Sequence, residues 1–195
     1  MNKVIIISAP SGAGKSTLIN HLIEQDLPLG FSISATNRKP RKGEIDGKHY
    51  YFFDTDTFRQ RVDNKEFVEW EEVYKDRLYG TLKTEIERIK TMKKTPIFDL
   101  DVEGGLKIKK VFGDHALAIF VKPPSVKTLR RRLTDRQTDS AEDIDRRVEK
   151  ATKELEREVD FDRIIVNDKL EKAKLEIEKL VREFIKENNT SLDYD

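Results

Sequence analysis

The stretch VIIISAPSGAGKST, residues 4–17, decides the fold. Its first four residues, Val4 to Ile7, are all β-branched, which is typical of a strand buried on both faces, and the apolar residues after the turn recur at helical spacing. Between strand and helix, Gly12 and Gly14 allow successive backbone N–H groups to point into one concavity, where phosphate oxygens can bind. The positive end of the helix strengthens this attraction. The stretch therefore predicts a strand, a phosphate-binding loop and a helix start.

The loop also carries the side chains that nucleotide binding requires. We expect Lys15 to bridge the β- and γ-phosphates as a point charge, and the Ser16 hydroxyl to ligate the Mg²⁺ that travels with the nucleotide. The strict motif G-x-x-x-x-G-K-[ST] begins with glycine, whereas this chain has Ala9 there. Alanine tolerates most backbone shapes other than positive φ, so we expect the phosphate cradle to stay intact. The predicted nucleotide-binding residues here are Ala9, Pro10, Ser11, Gly12, Ala13, Gly14, Lys15, Ser16 and Thr17.

Length and composition exclude several classes of protein. The 195 residues suit one domain with a substantial core and a small insertion or lid. The chain has 38 basic and 37 acidic side chains, so its net charge does not favour binding to nucleic acid or membranes, and we expect neither as a partner. The absence of cysteine excludes disulfides and thiolate metal sites. No apolar run approaches the roughly 20 residues of a membrane span, and the N-terminal strand lacks the flanks of a signal peptide, so we predict a cytoplasmic protein.

Most of the chain alternates short buried runs with helical patterns. Buried strands are predicted at residues 97–100, 116–121 and 164–166. We also expect a closing amphipathic helix at residues 170–185, with Leu175, Leu180 and Ile185 on its apolar face. This alternation predicts an α/β fold with a doubly wound parallel sheet. The core is expected to comprise residues 1–30, 82–125 and 159–188, followed by a frayed tail at 189–195.

Residues 31–81 depart from the alternation. Phe31, Ile33 and Ala35 alternate with polar residues, which predicts one strand with a solvent-exposed face. Further extended segments are predicted at 49–53 and 67–74. The spacing is unlike a βαβ crossover, so we predict a small, largely antiparallel insertion. A short helix capped by Asp54 or Asp56 is expected within it, and its core is expected to contain Tyr51, Phe52, Phe53 and Trp70.

A third region, at about 126–158, is strongly basic. Two helical patterns flank a polar turn at 138–142, and such an arrangement suits a mobile lid.

In order and spacing these motifs resemble those of the guanylate kinase family, from Lys3 to about Lys186. The matching segments are the loop at 9–17, the arginine- and glycine-containing segment 31–53, Glu69 before Trp70, Tyr79-Gly80-Thr81, Asp99 and Asp101 before Gly104, Pro123-Pro124-Ser125, residues 132–136, Arg147, and Val166-Asn167-Asp168. The resemblance implies a P-loop kinase that transfers a phosphoryl group from ATP to GMP, giving ADP and GDP, with Mg²⁺ as cofactor.

The resemblance also implies how GMP binds. Arg38 and Arg41 present forked donors to its phosphate, and Tyr50 and Tyr79 add neutral hydroxyl donors. Glu69 accepts hydrogen bonds from N1 and N2 of guanine, which selects against adenine, while hydroxyls come from Ser34 and Thr81. The implied GMP-binding residues are Ser34, Arg38, Arg41, Tyr50, Glu69, Tyr79, Thr81, Asp99 and Asp101.

For the transfer itself, the implied catalytic residues are Lys15, Arg38, Arg136 and Arg147, with Arg132 and Asn167 on the ATP side. The attacking phosphate has a second pKa of about 6 and needs no general base, so His21, His49 and His115 are expected to be bystanders. Asp99 and Asp101 could each hold a Mg²⁺-bound water or orient groups on the guanine side.

The lid departs from the family pattern, because Asp135 and Gln137 flank Arg136 where glycines are common. We still expect activity, since a lid can close with helical dihedrals.

Two alternatives remain open from the sequence. A kinase of the same fold could act on another phosphorylated acceptor, against which Glu69, Ser34 and Thr81 argue. A non-catalytic guanylate-kinase-like binding module is the second, but such modules lose the phosphate loop, and this chain keeps Lys15 and Ser16.

Overall fold

The computed structural model describes residues 3–135 and 140–186. Its strands are β1 (Val4–Ser8), β2 (Leu29–Phe31), β3 (Ala35–Thr36), β4 (Tyr51–Phe52), β5 (Phe67–Tyr74), β6 (Arg77–Leu82), β7 (Thr95–Leu100), β8 (Ala116–Lys122) and β9 (Arg163–Val166). Its α-helices are α1 (Lys15–Glu24), α2 (Thr55–Asp63), α3 (Lys83–Thr91), α4 (Val102–Phe112), α5 (Val126–Thr134), α6 (Ala141–Leu155) and α7 (Leu170–Lys186). None of the helices in these described ranges is long and apolar enough to cross a membrane.

The core sheet confirms the predicted fold class. Five parallel strands lie in the order β2-β7-β1-β8-β9, with β1 in the centre. Alternate residues of β1 face two separate apolar cores: Ile5 packs with residues of α1 and α7, and Ile6 packs with residues of α3 and α4. Helices therefore cover both faces, as a continuous apolar strand requires.

The second sheet is formed within residues 31–82 and has the order β4-β3-β6-β5. The β3–β4 pair is parallel and the other two pairs are antiparallel. Its core is centred on Phe58 and Phe67, whose rings stack at 4.6 Å. Asp54 is the residue that caps α2, since its carboxylate accepts a hydrogen bond from the Thr57 N–H at 2.7 Å.

The predicted single strand through Phe31, Ile33 and Ala35 is wrong. Phe31 ends β2 in the core sheet, whereas Ala35 begins β3 in the second sheet. The Ser32 N–H still donates to the Ile97 carbonyl of β7, at 3.0 Å, and the chain then leaves the core sheet. The alternating pattern did not reveal this change, because both halves have the same period of two.

Two predicted core residues are exposed. Trp70 is 41% exposed: it pairs with Gly80 of β6, on the face opposite to that of its neighbour Glu69. Leu175 on α7 is 71% exposed. The buried stripe of α7 instead has a spacing of four and comprises Ala173, Ile177 and Val181, with Leu180 and Ile185 partly buried beside it.

The helices α5 and α6 pack through an apolar cluster of their own. Its members are Leu129, Leu133, Ile144, Val148 and Ala151. Ser125 and Ser140 cap the two helices by accepting hydrogen bonds from backbone N–H groups three residues ahead.

Gly30 allows β2 and α3 to approach closely. A Cβ at this position would lie 2.4 Å from Cγ2 of Ile89. We predict that Gly30→Ala lowers the free energy of unfolding by about 1 to 3 kcal/mol, because Ile89 is fully buried and cannot move aside freely. Urea unfolding measures the change. The matched control is the same substitution in an Ile89→Ala background, where the methyl group has room and the cost should largely disappear. An equal cost in both backgrounds would contradict the steric explanation.

Candidate active site

The carboxyl ends of the core strands open into a cleft of about 380 Å³. The loop after β1, the end of β7, one side of the second sheet and helix α6 contribute its lining. Ligands bind at this edge of open parallel sheets. Most of the predicted residues lie here, namely Ala9, Pro10, Ser11, Gly12, Gly14, Lys15, Ser16, Thr17, Ser34, Arg38, Arg41, Tyr50, Glu69, Tyr79, Asp99, Asp101 and Arg147.

The loop after β1 has the backbone shape that the sequence predicts. Gly12 and Gly14 have φ angles of +91° and +94°, in the region that favours glycine. A Cβ on Gly14 would also lie 2.3 Å from Nδ2 of Asn167. Among the described residues other than glycine, positive φ occurs only at Lys65, Asp76 and Lys93, so Ala9 does not require the missing glycine.

Lys15 and two aspartates lie where β1 and β7 end. The Lys15 Nζ lies 2.6 Å from Oδ1 of Asp99 and also donates to the Leu100 carbonyl. Asp101 instead caps α4, since its Oδ1 accepts the Gly104 N–H at 2.8 Å. In this structure the two aspartates are therefore distinct: Asp99 pairs with the lysine of the loop, and Asp101 positions a helix.

Arg38 is a buried cation on the other side of the cleft. Its side chain is only 4% exposed, and both terminal nitrogens donate to Glu44, each at 2.6 Å. The guanidinium also lies over the ring of Tyr50, 4.8 Å from the centroid. The hydrogen bonds from Arg38 lower the pKa of Glu44 to about 2 and raise that of Arg38. Arg38 is therefore charged and oriented.

Glu44 was not among the residues that the sequence identified. It accepts from both Arg38 and the Arg41 backbone N–H, the latter at 2.7 Å, and so shapes the whole arginine loop. Only the folded loop brings this acid to Arg38, and no periodic pattern marks it. Beside it, the rings of Tyr50 and Tyr79 meet edge to face at 6.0 Å.

Glu69 places a carboxylate in the cleft wall. It is 7% exposed and accepts a hydrogen bond from the Thr81 hydroxyl at 2.7 Å. Burial raises the pKa of Glu69 to about 7, the negative charge of Asp101 adds to this effect, and the Thr81 hydrogen bond opposes it. Thr81 is fully buried and is not part of the cleft lining, so its hydroxyl acts through Glu69.

Helices α5 and α6 bring two arginines to the loop in different ways. Arg147 donates to the Ser11 hydroxyl inside the cleft. Arg132 instead donates to the Asn167 carbonyl at 2.9 Å, while the Asn167 amide donates to the Ala13 carbonyl at 2.8 Å. Arg132, Asn167 and Ala13 therefore form a network behind the loop, outside the cleft lining.

The predicted lid arginine, Arg136, and its neighbour Gln137 lie outside the described residues. Asp135 ends α5 with helical dihedrals, φ −61° and ψ −20°.

Further lining residues were not among the predicted site residues: Glu71, Val73, Gly80, Leu100, Gly104, Lys150 and Glu154. Lys150 and Glu154 follow Arg147 at intervals of three and four, so helical periodicity could have placed them on the same face. Burial raises the pKa of Glu154. None of the three histidines is part of the cleft lining; His21, for example, lies 3.2 Å from Glu178 of α7.

Comparisons with known proteins agree with one another. The family model described as guanylate kinase matches residues 1–184. The chain is 54% identical over 183 residues to a guanylate kinase of Bacteroides thetaiotaomicron, covering 94% of this chain and 90% of the relative. It is 53% identical over 186 residues to that of Porphyromonas gingivalis, covering 95% and 99%. A crystal structure of guanylate kinase from Anaplasma phagocytophilum aligns with a TM-score of 0.75 at 29% identity, over 93% of this chain and 85% of that one. This chain therefore belongs to the guanylate kinase family.

Proposed function

We propose how the cleft performs the ATP-dependent phosphorylation of GMP to GDP, the activity that family membership assigns to this enzyme. The observation that supports this proposal most directly is that one cleft is lined by both a phosphate-binding loop and the buried carboxylate of Glu69, for which Thr81 is the one hydrogen-bond donor within the described residues. The loop suits the phosphates of ATP, and Glu69 suits a base that presents two adjacent donors. We assign the core to residues 1–30, 82–125 and 159–188, the GMP-binding insertion to about 31–81, and the lid to about 126–158.

On the GMP side, recognition is divided between the base and the phosphate. Guanine offers donors at N1 and N2, and an ionised Glu69 can accept both, whereas N1 of adenine is an acceptor and would be repelled. Ser34 lies in the same wall and supplies a hydroxyl. The phosphate binds to Arg38, Arg41, Tyr50 and Tyr79. Because Glu44 already orients Arg38, little ordering of that side chain is needed on binding.

On the ATP side, the backbone N–H groups of the loop and the α1 N-terminus bind the β-phosphate. Lys15 exchanges its contact with Asp99 for the β- and γ-phosphates, and Arg147, which contacts Ser11 at the loop, approaches the γ-phosphate. A bond forms between the γ-phosphorus and an ionised oxygen of GMP while the bond to ADP breaks. The side chains stabilise the spread charge, and no proton needs to be removed. We assign the same stabilising task to Arg136.

The residues at the loop fit a magnesium ion that arrives with ATP. In the described ranges no three His, Cys, Asp or Glu side chains form a group that could hold a metal alone. Mg²⁺ in kinases is commonly held by substrate phosphates with only one or two protein ligands. The exposed Ser16 hydroxyl in the first turn of α1, with Asp99 or Asp101 through water, would supply them. When bound, the ion neutralises charge on the β- and γ-phosphate oxygens.

The decisive experiment is a coupled assay of ADP release with ATP, Mg²⁺ and GMP, AMP, UMP or no acceptor. We expect turnover with GMP well above that with the other acceptors, and loss of turnover in EDTA.

Lys15→Ala should lower kcat by about a hundredfold or more, because it removes the positive charge that stabilises the transferred phosphoryl group, while GMP binding stays nearly intact. Lys83→Ala, at an exposed position of α3, is the control. Folded protein that binds GMP without releasing ADP would instead support a binding module.

The next prediction concerns selectivity for the base. Glu69→Gln leaves one acceptor where the carboxylate offers two, so the KM for GMP should rise by about 10- to 150-fold, equivalent to roughly 1.5 to 3 kcal/mol. The KM for ATP, measured in the same series, should change by less than about twofold. IMP, which lacks the N2 donor, should lose less affinity than GMP. An equal loss for both ligands would assign Glu69 a structural role.

A further prediction concerns pH. The pKa of Glu69 rises from its ordinary value of 4.5 to about 7 on folding, so between these values the folded protein binds more protons than the unfolded chain. The contribution of Glu69 to the free energy of unfolding is therefore fully present below pH 4.5 and is lost as the pH rises through 7. Glu69→Gln should stabilise the ligand-free protein, by an amount that grows by about 2 kcal/mol between pH 5 and pH 8. Urea unfolding at several pH values tests this; parallel stability curves for the two proteins would contradict it.

A further inference from the structure

A second buried glutamate lies outside the cleft. Glu85 is in the first turn of α3 and is 2% exposed, yet it is not among the residues that line the cleft. A carboxylate is rarely buried unless its oxygens are paired and hydrogen-bonded. Its contacts therefore indicate what this residue does.

Four hydrogen bonds converge on the two oxygens of Glu85. Oε1 accepts from the Tyr51 hydroxyl at 2.7 Å and from Nε of Arg88 at 2.8 Å. Oε2 accepts from the Ile33 backbone N–H at 2.9 Å and from Nη2 of Arg88 at 2.8 Å. Arg88 also donates to the Phe31 carbonyl at 3.0 Å. The carboxylate is fully satisfied and has no oxygen left for a ligand.

These partners belong to different parts of the fold. Glu85 and Arg88 are on α3, whose apolar side packs into the core through Ile86. Ile33 lies in the connection between β2 of the core sheet and β3 of the second sheet. Tyr51 is in β4, an edge strand of the second sheet. One carboxylate therefore joins the core helix, the connection between the sheets and the second sheet.

The connection itself has few other polar contacts that could fix it. Ser32, the residue before Ile33, has a buried hydroxyl with no hydrogen-bond partner within the described residues. Its backbone N–H donates to Ile97, so the chain is attached to the core sheet only as far as Ser32. The next attachment is the bond from Ile33 to Glu85.

Two of the three partners of Glu85, Ile33 and Tyr51, have a neighbour in the cleft. Ser34 follows Ile33, Tyr50 precedes Tyr51, and both neighbours line the cleft. The Tyr51 N–H donates to the Ser34 carbonyl at 2.9 Å, which ties the two segments together. Displacement of either partner would therefore shift a group in the GMP half of the site.

We propose that Glu85 is a positioning residue for GMP, which fixes Ser34 and Tyr50 relative to the core and the phosphate loop through Ile33 and Tyr51. The inference rests on the proposed function, because it takes Ser34 and Tyr50 as contacts of GMP. ATP binds to the loop after β1 and should be insensitive to this contact.

Charge supports the assignment. Burial alone raises the pKa of Glu85, but the hydrogen bonds from Arg88, Ile33 and Tyr51 outweigh it, and the pKa lies below its ordinary value. Burial and the bond to Glu85 raise the pKa of Tyr51 to about 12. The carboxylate is thus ionised and the phenol is a donor across the pH range in which kinases are assayed.

The test compares Glu85→Gln, Tyr51→Phe and the double variant, in full-length protein, with Glu87→Gln as the matched control. Gln has nearly the shape of Glu but only one acceptor oxygen, and Glu87 undergoes the same change at an exposed position of α3. The dissociation constant of GMP without ATP, and the KM values of GMP and ATP, are measured at a temperature at which every variant is folded.

We expect Glu85→Gln to weaken GMP binding about tenfold, and Tyr51→Phe about threefold, while the KM for ATP and kcat change by less than about threefold. Both changes act on one carboxylate, so the double variant should bind GMP no more than about twofold more weakly than Glu85→Gln. Glu87→Gln should match the wild type.

Wild-type affinity for GMP in Glu85→Gln, even with a lower Tm, would overturn the proposal and leave Glu85 a purely structural residue. Equal losses for ATP and GMP would also overturn it. A wild-type protein that does not phosphorylate GMP would instead refute the proposed function, and the GMP titrations without ATP would still decide the role of Glu85.

Discussion

The complete burial of β1 is the constraint on which the rest of the structure depends. Its residues from Val4 to Ser8 have both faces covered and pair in parallel with β7 on one side and β8 on the other. Parallel pairing brings the carboxyl ends of these strands to one edge, where Ser8 lies in register with Leu100. The phosphate loop and the aspartates that flank Leu100 therefore lie close together as a direct result of this strand pairing. The edge becomes a cleft because the second sheet and α6 extend over it.

Within the cleft, two basic side chains are oriented by carboxylates. Arg38 is held by Glu44, and Lys15 by Asp99. A phosphate that binds here must share or replace a carboxylate, which lowers the net gain in binding energy but removes the cost of ordering long side chains. Phosphoryl transfer depends chiefly on such prior positioning of charge, since the protein forms no covalent bond to the transferred group.

Two buried glutamates differ in the hydrogen-bond donors around them, and the roles that we propose for them differ accordingly. Glu69 has one hydroxyl donor, from Thr81, and its pKa rises to about 7 because burial dominates. Glu85 has four donors, from Arg88, Tyr51 and Ile33, and its pKa falls despite burial. The carboxylate with a single donor lies in the cleft, where we propose that it binds guanine, whereas the satisfied one joins two sheets. The donors that the fold supplies thus account for the two different roles that we propose for the same residue type.

The sequence by itself determined the α/β class, the strand–loop–helix around Lys15 and most residues of the cleft, because each depends on neighbours in the chain: β-branched runs, glycines with positive φ, and motifs at fixed spacing. Tertiary structure alone decided which sheet each half of the segment 31–36 joins, and left Trp70 and Leu175 exposed. It also decided the partners of Lys15 and Glu85, which lie 84 and 52 positions away at Asp99 and Ile33. The hydrophobic periodicity and composition of a segment indicate which face of an element is apolar, whereas the partner of a charged group depends on which distant elements pack against it. No local pattern records that choice, because the cost of burying a charge is felt only once the chain is folded.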